Sequence, residues 1–398
     1  MEKLVQKSGT LVGNQSLDFV RFLVDKIDWN DRLVGILGAR GTGKTTMLLQ
    51  YIKRNFNTGR DVLYLTLDDI YFSENRLTDV AETFYQHGGK FLFLDEVHKY
   101  PDWAREIKNL YDLYPDIRIV FTGSSVTDIL RQDVDLSRRA VQYELPGLSL
   151  REYLKFTGVF DATSIRLGDL LENHVEIATE FTGQIRPLLH FSNYMQQGYY
   201  PFFAENPNTY PIRIEQVVKL IVETDMRFMP GFDPANTRKL LQLLYVLATN
   251  VPFKPNISAL SSKIGIHRNT LVQYIHYLEK ARLINTLSAR GKSVSILQKP
   301  DKVYLENANL HQAIAPDQAN IGSMRESFFL NQLRNAGHQV SIPAKGDFLI
   351  DDHLTFEIGG KKKTFKQIEG LTDSYIAADG IETGVWNKVP LWLFGFLY

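Results

Sequence analysis

The sequence predicts an α/β fold centred on a parallel sheet, and three features carry that prediction. Up to about Leu154, short apolar runs alternate with amphipathic stretches, the pattern of strands and crossover helices in a sheet covered on both faces. A glycine-rich turn, Gly38-Ala39-Arg40-Gly41-Thr42-Gly43-Lys44-Thr45, joins the first apolar run directly to a helix. The third run, Phe91-Leu92-Phe93-Leu94, ends in two adjacent carboxylates, Asp95 and Glu96.

In order along the chain, residues 17–27 read as a helix with Phe19, Phe22, Leu23 and Ile27 on one face. Strands are predicted at 33–37, 62–65, 91–94, 117–121 and 141–145, with helices between them, for example at 103–113. Residues 160–230 read as mostly helical, broken at Gly198-Tyr199-Tyr200-Pro201. A helix follows at 238–248. Residues 255–287 read as helix, tight turn, helix, with Leu260, Ile264, Leu271, Ile275 and Leu278 as the core by helical spacing. Residues 283–305 suggest a two-stranded wing. After about residue 320, a helix at 326–335 leads into short strands and an apolar stretch whose Trp392, Phe394 and Phe396 read as core.

Bulk composition sets limits. A length of 398 residues implies two or more domains. With 44% hydrophobic and 23% charged residues, large-scale disorder is not expected. A formal net charge of zero gives no bulk field for nucleic acid or membranes, which leaves a local basic face open. Absence of cysteine excludes disulfides, thiol catalysis and cysteine-ligated zinc, and fits a cytoplasmic protein. The nine histidines show no zinc-ligand spacing. No secretory signal and no run long enough to span a membrane are expected.

The glycine turn fits G-x-x-x-x-G-K-[ST], the Walker A pattern. Its glycines let successive backbone N–H groups point inward at phosphate oxygens, and the following helix adds its positive N-terminal dipole. Gly38 to Thr45, with Thr46 beyond, are therefore expected to bind ATP. Lys44 would reach the β- and γ-phosphates and Thr45 would ligate Mg²⁺. Roughly fifty residues on, Asp95 and Glu96 fit the Walker B half of such a site. They end a buried strand at the edge where open α/β sheets bind ligands. Asp95 is expected to hold Mg²⁺ and Glu96 to polarise the attacking water. Ser124 and Ser125 end the next strand. They either meet the γ-phosphate and lytic water or simply cap a helix. Arg138 and Arg139 either complete a neighbouring subunit's site as an arginine finger, which would require a homo-oligomer, or form a surface basic pair. His98 is expected to pack or hydrogen-bond near the site.

These residues together resemble the prokaryotic AAA-type ATPases that carry an appended restriction-endonuclease-like domain. The marks are GARGTGKTT, LFLDEVHKYPDWAREIKNLYD, VFTGSS and SRRAVQYELPGLSLREYL, together with the C-terminal block, so the resemblance runs over nearly the whole chain. It implies an ATPase core at 1–157, a helical lid at 158–234, a winged-helix domain at 235–312 and a small α/β nuclease-like domain at 320–398. In the winged helix, Arg268, Asn269, Gln273 and His276 fall away from the core, where they could face DNA. The alternative is that this module packs as a lid or partner surface. In the last domain, which resembles the PD-(D/E)xK core, Glu326 sits on a helix, and Asp347 and Glu357 would share a second metal ion. Gly359 stands where active members carry a water-activating lysine. Lys361 or Lys363 would have to reach that place, or the fold serves packing or nucleic-acid contact instead. Lys361-Lys362-Lys363 reads as a solvated turn or a phosphate contact.

Overall fold

The computed structural model describes residues 1–56, 60–125, 136, 138–249, 255–289 and 299–398. They form two compact units, one of Met1–Pro146 with Phe228–Pro230, the other of Gly147–Arg227 with Gly231–Tyr398.

The first unit is built on five parallel strands, β1 (Leu33–Gly38), β2 (Val62–Thr66), β3 (Phe91–Asp95), β4 (Arg118–Ser124) and β5 (Val141–Glu144), in the order β2-β3-β4-β1-β5. Their period-2 pattern sorts the core onto two faces. On one face Val34, Ile36, Tyr64, Phe93 and Val120 pack with Met47, Leu48 and Ile52 of helix α2 (Lys44–Asn55). On the other, Leu33, Leu37, Leu65, Leu94 and Phe121 pack with α3 (Leu77–Gln86) and α4 (Trp103–Leu113). The register sets Gly38 beside Ser124 and Leu94 beside Phe121. The C-terminal ends of β1, β3 and β4 therefore meet at one edge of the sheet.

Two features differ from the sequence reading. The chain opens with a helix not read from the sequence, α1 (Glu2–Gly13), which buries Leu4, Ser8 and Val12. The helix expected at 17–27 shrinks to a 3-10 turn, Phe22–Asp25. The Gln50 amide of α2 donates to the carbonyls of Ser16 (2.7 Å) and Phe19 (2.9 Å), groups a helix would have used internally. Side chains thus replace the helical ladder there.

The second unit begins with α5 (Leu150–Phe156), capped by Ser149, whose hydroxyl accepts from the Glu152 N–H. Helices α6 (Leu167–Thr182), α7 (Pro187–Gln197), α8 (Tyr210–Glu223) and α9 (Thr237–Thr249) follow. The expected break after α7 is held by Asn309, which accepts from Tyr199 N–H (2.8 Å) and donates to the carbonyls of Tyr194 (3.0 Å) and Met195 (2.9 Å). Next comes a helix-turn-helix, α10 (Ile257–Ile264) and α11 (Arg268–Lys280), turning at Gly265 in the left-handed region. Leu260, Ile264, Leu271, Ile275 and Leu278 are all buried. Antiparallel β6 (Ile284–Leu287) and β7 (Lys302–Leu305) follow, and the part of the expected wing at 290–298 lies outside the described residues. After α12 (Ala308–Ile314), the helix expected at 326–335 starts earlier as α13 (Ile321–Asn335), because Asn320 caps it by accepting from Gly322 N–H. A mixed sheet closes the chain: β8 (Val340–Ser341), β9 (Phe348–Ile350), β10 (Leu354–Gly360), β11 (Ser374–Asp379) and β12 (Lys388–Pro390), in spatial order β12-β11-β10-β9-β8. Trp392, Phe394 and Phe396 are fully buried. Among the described residues, no helix is long and apolar enough to cross a membrane.

Candidate functional site

The loop between β1 and α2 is fixed by its own covalent constraints. Gly41 and Gly43 take φ of 82° and 91°, a region costly for residues with a Cβ. A Cβ on Gly38 would lie 2.4 Å from the Leu145 carbonyl oxygen. The Thr42 hydroxyl closes the turn onto the Ala39 carbonyl at 2.9 Å. Arg21, buried at 4% exposure, clamps the loop from outside by donating to the Thr42 carbonyl and, at 2.8 Å, to the Pro146 carbonyl. No sequence signal singled out Arg21. Lys44 is folded back on the loop, donating to the Gly38 and Ala39 carbonyls at 2.9 Å each. It must exchange these carbonyls for phosphate oxygens to act as expected.

Asp95 ends β3 as the hub of the site. Its Oδ2 accepts from the Thr45 hydroxyl at 2.7 Å and the Tyr64 phenol at 2.8 Å, and its Oδ1 accepts from the Thr122 hydroxyl. Tyr64 stays protonated, its pKa raised first by burial and then by the Asp95 charge. The sequence reading missed Tyr64 and Thr122, although each is a polar side chain inside an apolar strand. Glu96 follows in the left-handed region (φ 53°, ψ 40°), an uncommon setting for a glutamate. Its N–H donates to Thr122 Oγ1 at 3.2 Å. The buried His98 ring lies 3.5 Å from the Glu96 carboxylate and accepts from Ser124 N–H at 3.4 Å.

Ser124 and Ser125 sit beside the loop, and Ser125 N–H donates to the Gly38 carbonyl at 3.2 Å. The buried Ser125 hydroxyl has no hydrogen-bond partner among the described residues. Such an orphan is costly unless a ligand oxygen satisfies it. Arg139 forks onto Asp112 of α4 at 3.0 and 3.2 Å, while Arg138 is exposed. The donor set fits Mg²⁺, a hard cation that takes oxygen ligands: Thr45 and Asp95 offer a hydroxyl and a carboxylate already in contact.

The second unit holds another polar cluster. The Asp347 carboxylate accepts from Ile358 N–H at 2.8 Å, alongside Glu357 of β10. Glu357 is 1% exposed. Its Oε1 is ion-paired with Lys363, and its Oε2 has no hydrogen-bond partner among the described residues. Glu326 of α13 accepts from the Tyr304 phenol at 3.0 Å. Burial, aided by the Asp347 charge, pushes Glu326 up to about 7. Burial likewise raises Glu357, against the lowering effect of Lys363. Among the described residues, no three His, Asp or Glu side chains gather as a ready metal site.

The chain matches two family descriptions, and the first covers the loop and the Asp95 hub. Residues 30–154 match the family described as an AAA domain. Residues 188–319 match a domain of unknown function, DUF8612. The AAA domain points to ATP binding and hydrolysis, and its fold here is the parallel-sheet α/β fold of P-loop nucleotide-binding proteins. The chain is 28% identical to an uncharacterized protein of Methanocaldococcus jannaschii, over 94% of this chain and 85% of that one. Among solved structures it is similar to AMPPCP-bound DnaA from Aquifex aeolicus, at 15% identity over 70% of this chain and 88% of that chain, with a TM-score of 0.27. It is also similar to the S. cerevisiae Hsp104–ADP complex, at 14% identity over 70% and 41% of the two chains, with a TM-score of 0.33.

Proposed function

We propose that this chain is a magnesium-dependent ATPase whose nucleotide state is coupled to the modules that follow the AAA domain. The observation that carries the reading is the hub at Asp95. It joins the loop's Thr45 to the sheet edge through a shared carboxylate, with Glu96 the next residue. On this reading Lys44 leaves the Gly38 and Ala39 carbonyls for the phosphates, and the N–H groups from Gly38 to Thr46 cradle them. Thr45 and Asp95 hold Mg²⁺, which neutralises charge building on the transferring phosphoryl group. Glu96 polarises the attacking water, and the Ser124–Ser125 end of β4 faces the γ-phosphate. Arg139 is engaged by Asp112, so the exposed Arg138 is the better placed of the two to serve a second copy in a homo-oligomer.

Residues 158–234 then serve as a lid, 235–312 as a winged helix and 320–398 as a nuclease-like domain. Arg268 and Asn269 at the start of α11 are exposed, which leaves them open to DNA. The deciding experiment is steady-state ATP hydrolysis by the wild type and Lys44→Ala, with and without DNA. Mg²⁺-dependent turnover lost in the variant is expected. Equal turnover in the two proteins would remove the assigned site.

A second reading, an ATP-gated Mg²⁺-dependent nuclease, is favoured by the Lys363–Glu357 ion pair beside Asp347. It brings an ammonium to the carboxylate where the sequence has Gly359 at the expected lysine position. Plasmid cleavage with Mg²⁺ or Mn²⁺, lost on Lys363→Ala, is the expected result of this reading. Intact plasmid in every nucleotide state would refute it.

A further inference from the structure

An ATPase needs its water-polarising carboxylate aimed, which depends on what packs against Glu96. After β3, Glu96 turns left-handed, and Val97–Lys99 forms a 3-10 turn closed by Lys99 N–H on the Glu96 carbonyl at 2.9 Å. The Glu96 side chain is 23% exposed. The same turn carries His98 back into the sheet edge, where it is 4% exposed.

The ring's two nitrogens face different partners. Nδ1 accepts from Ser124 N–H at 3.4 Å, so Nδ1 is the nitrogen without a proton and Nε2 carries it. Nε2 lies 3.5 Å from Glu96 Oε2, a separation that shortens to a hydrogen bond with a small side-chain movement. Catalytic contacts commonly tighten in this way when substrate is in place. Ser124 is paired in register with Gly38, and the next N–H, from Ser125, donates to the Gly38 carbonyl.

We infer that His98 is a positioning residue: it holds the Glu96 carboxylate and ties it to the end of β4 that borders the phosphate loop. A change at that strand end on nucleotide binding is passed through one neutral imidazole to the group that polarises water. The inference rests on the ATPase reading above.

The test compares wild type, His98→Phe, His98→Gln and Glu96→Gln, alone and combined, in steady-state ATP hydrolysis and in binding of a non-hydrolysable ATP analogue. His98→Phe keeps a ring but loses the hydrogen bond from Ser124 N–H and the Nε2 contact with the Glu96 carboxylate. Its kcat is expected to fall at least about ten-fold, with analogue affinity and unfolding midpoint held. His98→Gln, whose amide nitrogen reaches toward the Nε2 position, should recover part of that loss. In the Glu96→Gln background His98→Phe should add no further loss, since it acts through Glu96. Wild-type turnover with unchanged kcat in His98→Phe overturns the inference alone. So does an additive loss in the double variant, or a loss of analogue binding equal to the loss of kcat. Absence of turnover in the wild type overturns the ATPase reading and the inference together.

Discussion

Asp95 collects hydroxyl groups from three elements, and each hydroxyl has a separate consequence. Thr45 is the partner that metal binding would share, Thr122 also receives the Glu96 N–H, and Tyr64 contributes a buried phenol held protonated. Tyr64→Phe removes one hydrogen bond to an ionised acceptor and little volume. It should cost about 1.5–3 kcal/mol of unfolding free energy, read as a lower urea midpoint with an unchanged slope. Glu96→Gln should keep nucleotide binding, while turnover falls by roughly 10²–10⁴; retained turnover would take the residue out of the water-activating role. Glu326 gives a pH signature in the other unit. Its pKa rises on folding from the ordinary 4.5 to about 7, so the folded state binds its proton more tightly. Its stabilising contribution is full below pH ~4.5 and is lost as pH rises to about 7. Glu326→Gln should flatten that decline in a series of urea melts across the window. At this scale motif spacing in the sequence pointed to Lys44, Thr45, Asp95 and Glu96, of which the structure brings Thr45 and Asp95 into contact. Tyr64 and Thr122 stand as polar residues in apolar strands, and their partner, Asp95 on the neighbouring strand, follows only from strand order and register. Arg21 had no such mark, because its partners are backbone carbonyls distant in sequence.

At the scale of elements, the β1–loop–α2 unit shows why some boundaries can be read and others cannot. Short apolar runs located the first four strands, which are buried almost throughout on both faces of the sheet, and helical spacing located α4, which buries one face. The segment at 17–27 carries helical spacing too, yet Gln50 takes the Ser16 and Phe19 carbonyls and the segment's own Arg21 side chain reaches out to the Thr42 carbonyl. Tertiary hydrogen bonds overrode a local pattern, and no local pattern reports them. Two glycine substitutions separate packing from propensity. Gly38→Ala would press a methyl to 2.4 Å from the Leu145 carbonyl, whose own N–H is bonded to the Leu37 carbonyl at 2.8 Å. Neither side can yield without loosening β5 from β1, so the unfolding midpoint and ATP binding should both fall. Gly9→Ala lies in α1 with nothing within 4 Å of the added methyl. It should raise stability by up to about 1 kcal/mol through helix propensity. If both substitutions destabilise alike, local packing at Gly38 is not the cause.

For the whole molecule, the proposal of coupling can be separated from that of ATP binding by asking which unit responds to nucleotide. The segment that matches the AAA family lies mainly within the first of two compact units, and the helix-turn-helix and closing mixed sheet lie in the second. A ligand that binds the folded state at about one hundred times its Kd adds roughly 2.7 kcal/mol to the unit that holds it. For a unit of this size that corresponds to roughly 5–10 °C in melting temperature. Differential scanning calorimetry of the full chain, with and without ATP and Mg²⁺, therefore carries two answers. Binding alone moves one transition and leaves the other in place. Coupling moves both, because stabilising one unit then stabilises the other through the free energy they share. Movement of both transitions is expected in the wild type, and movement of neither in Lys44→Ala. Displacement of the first transition alone would keep the nucleotide site and show the second unit to be a passenger of the ATPase. Any response of the second unit would then have to come from a ligand of its own, such as a divalent cation at the Asp347–Glu357–Lys363 cluster.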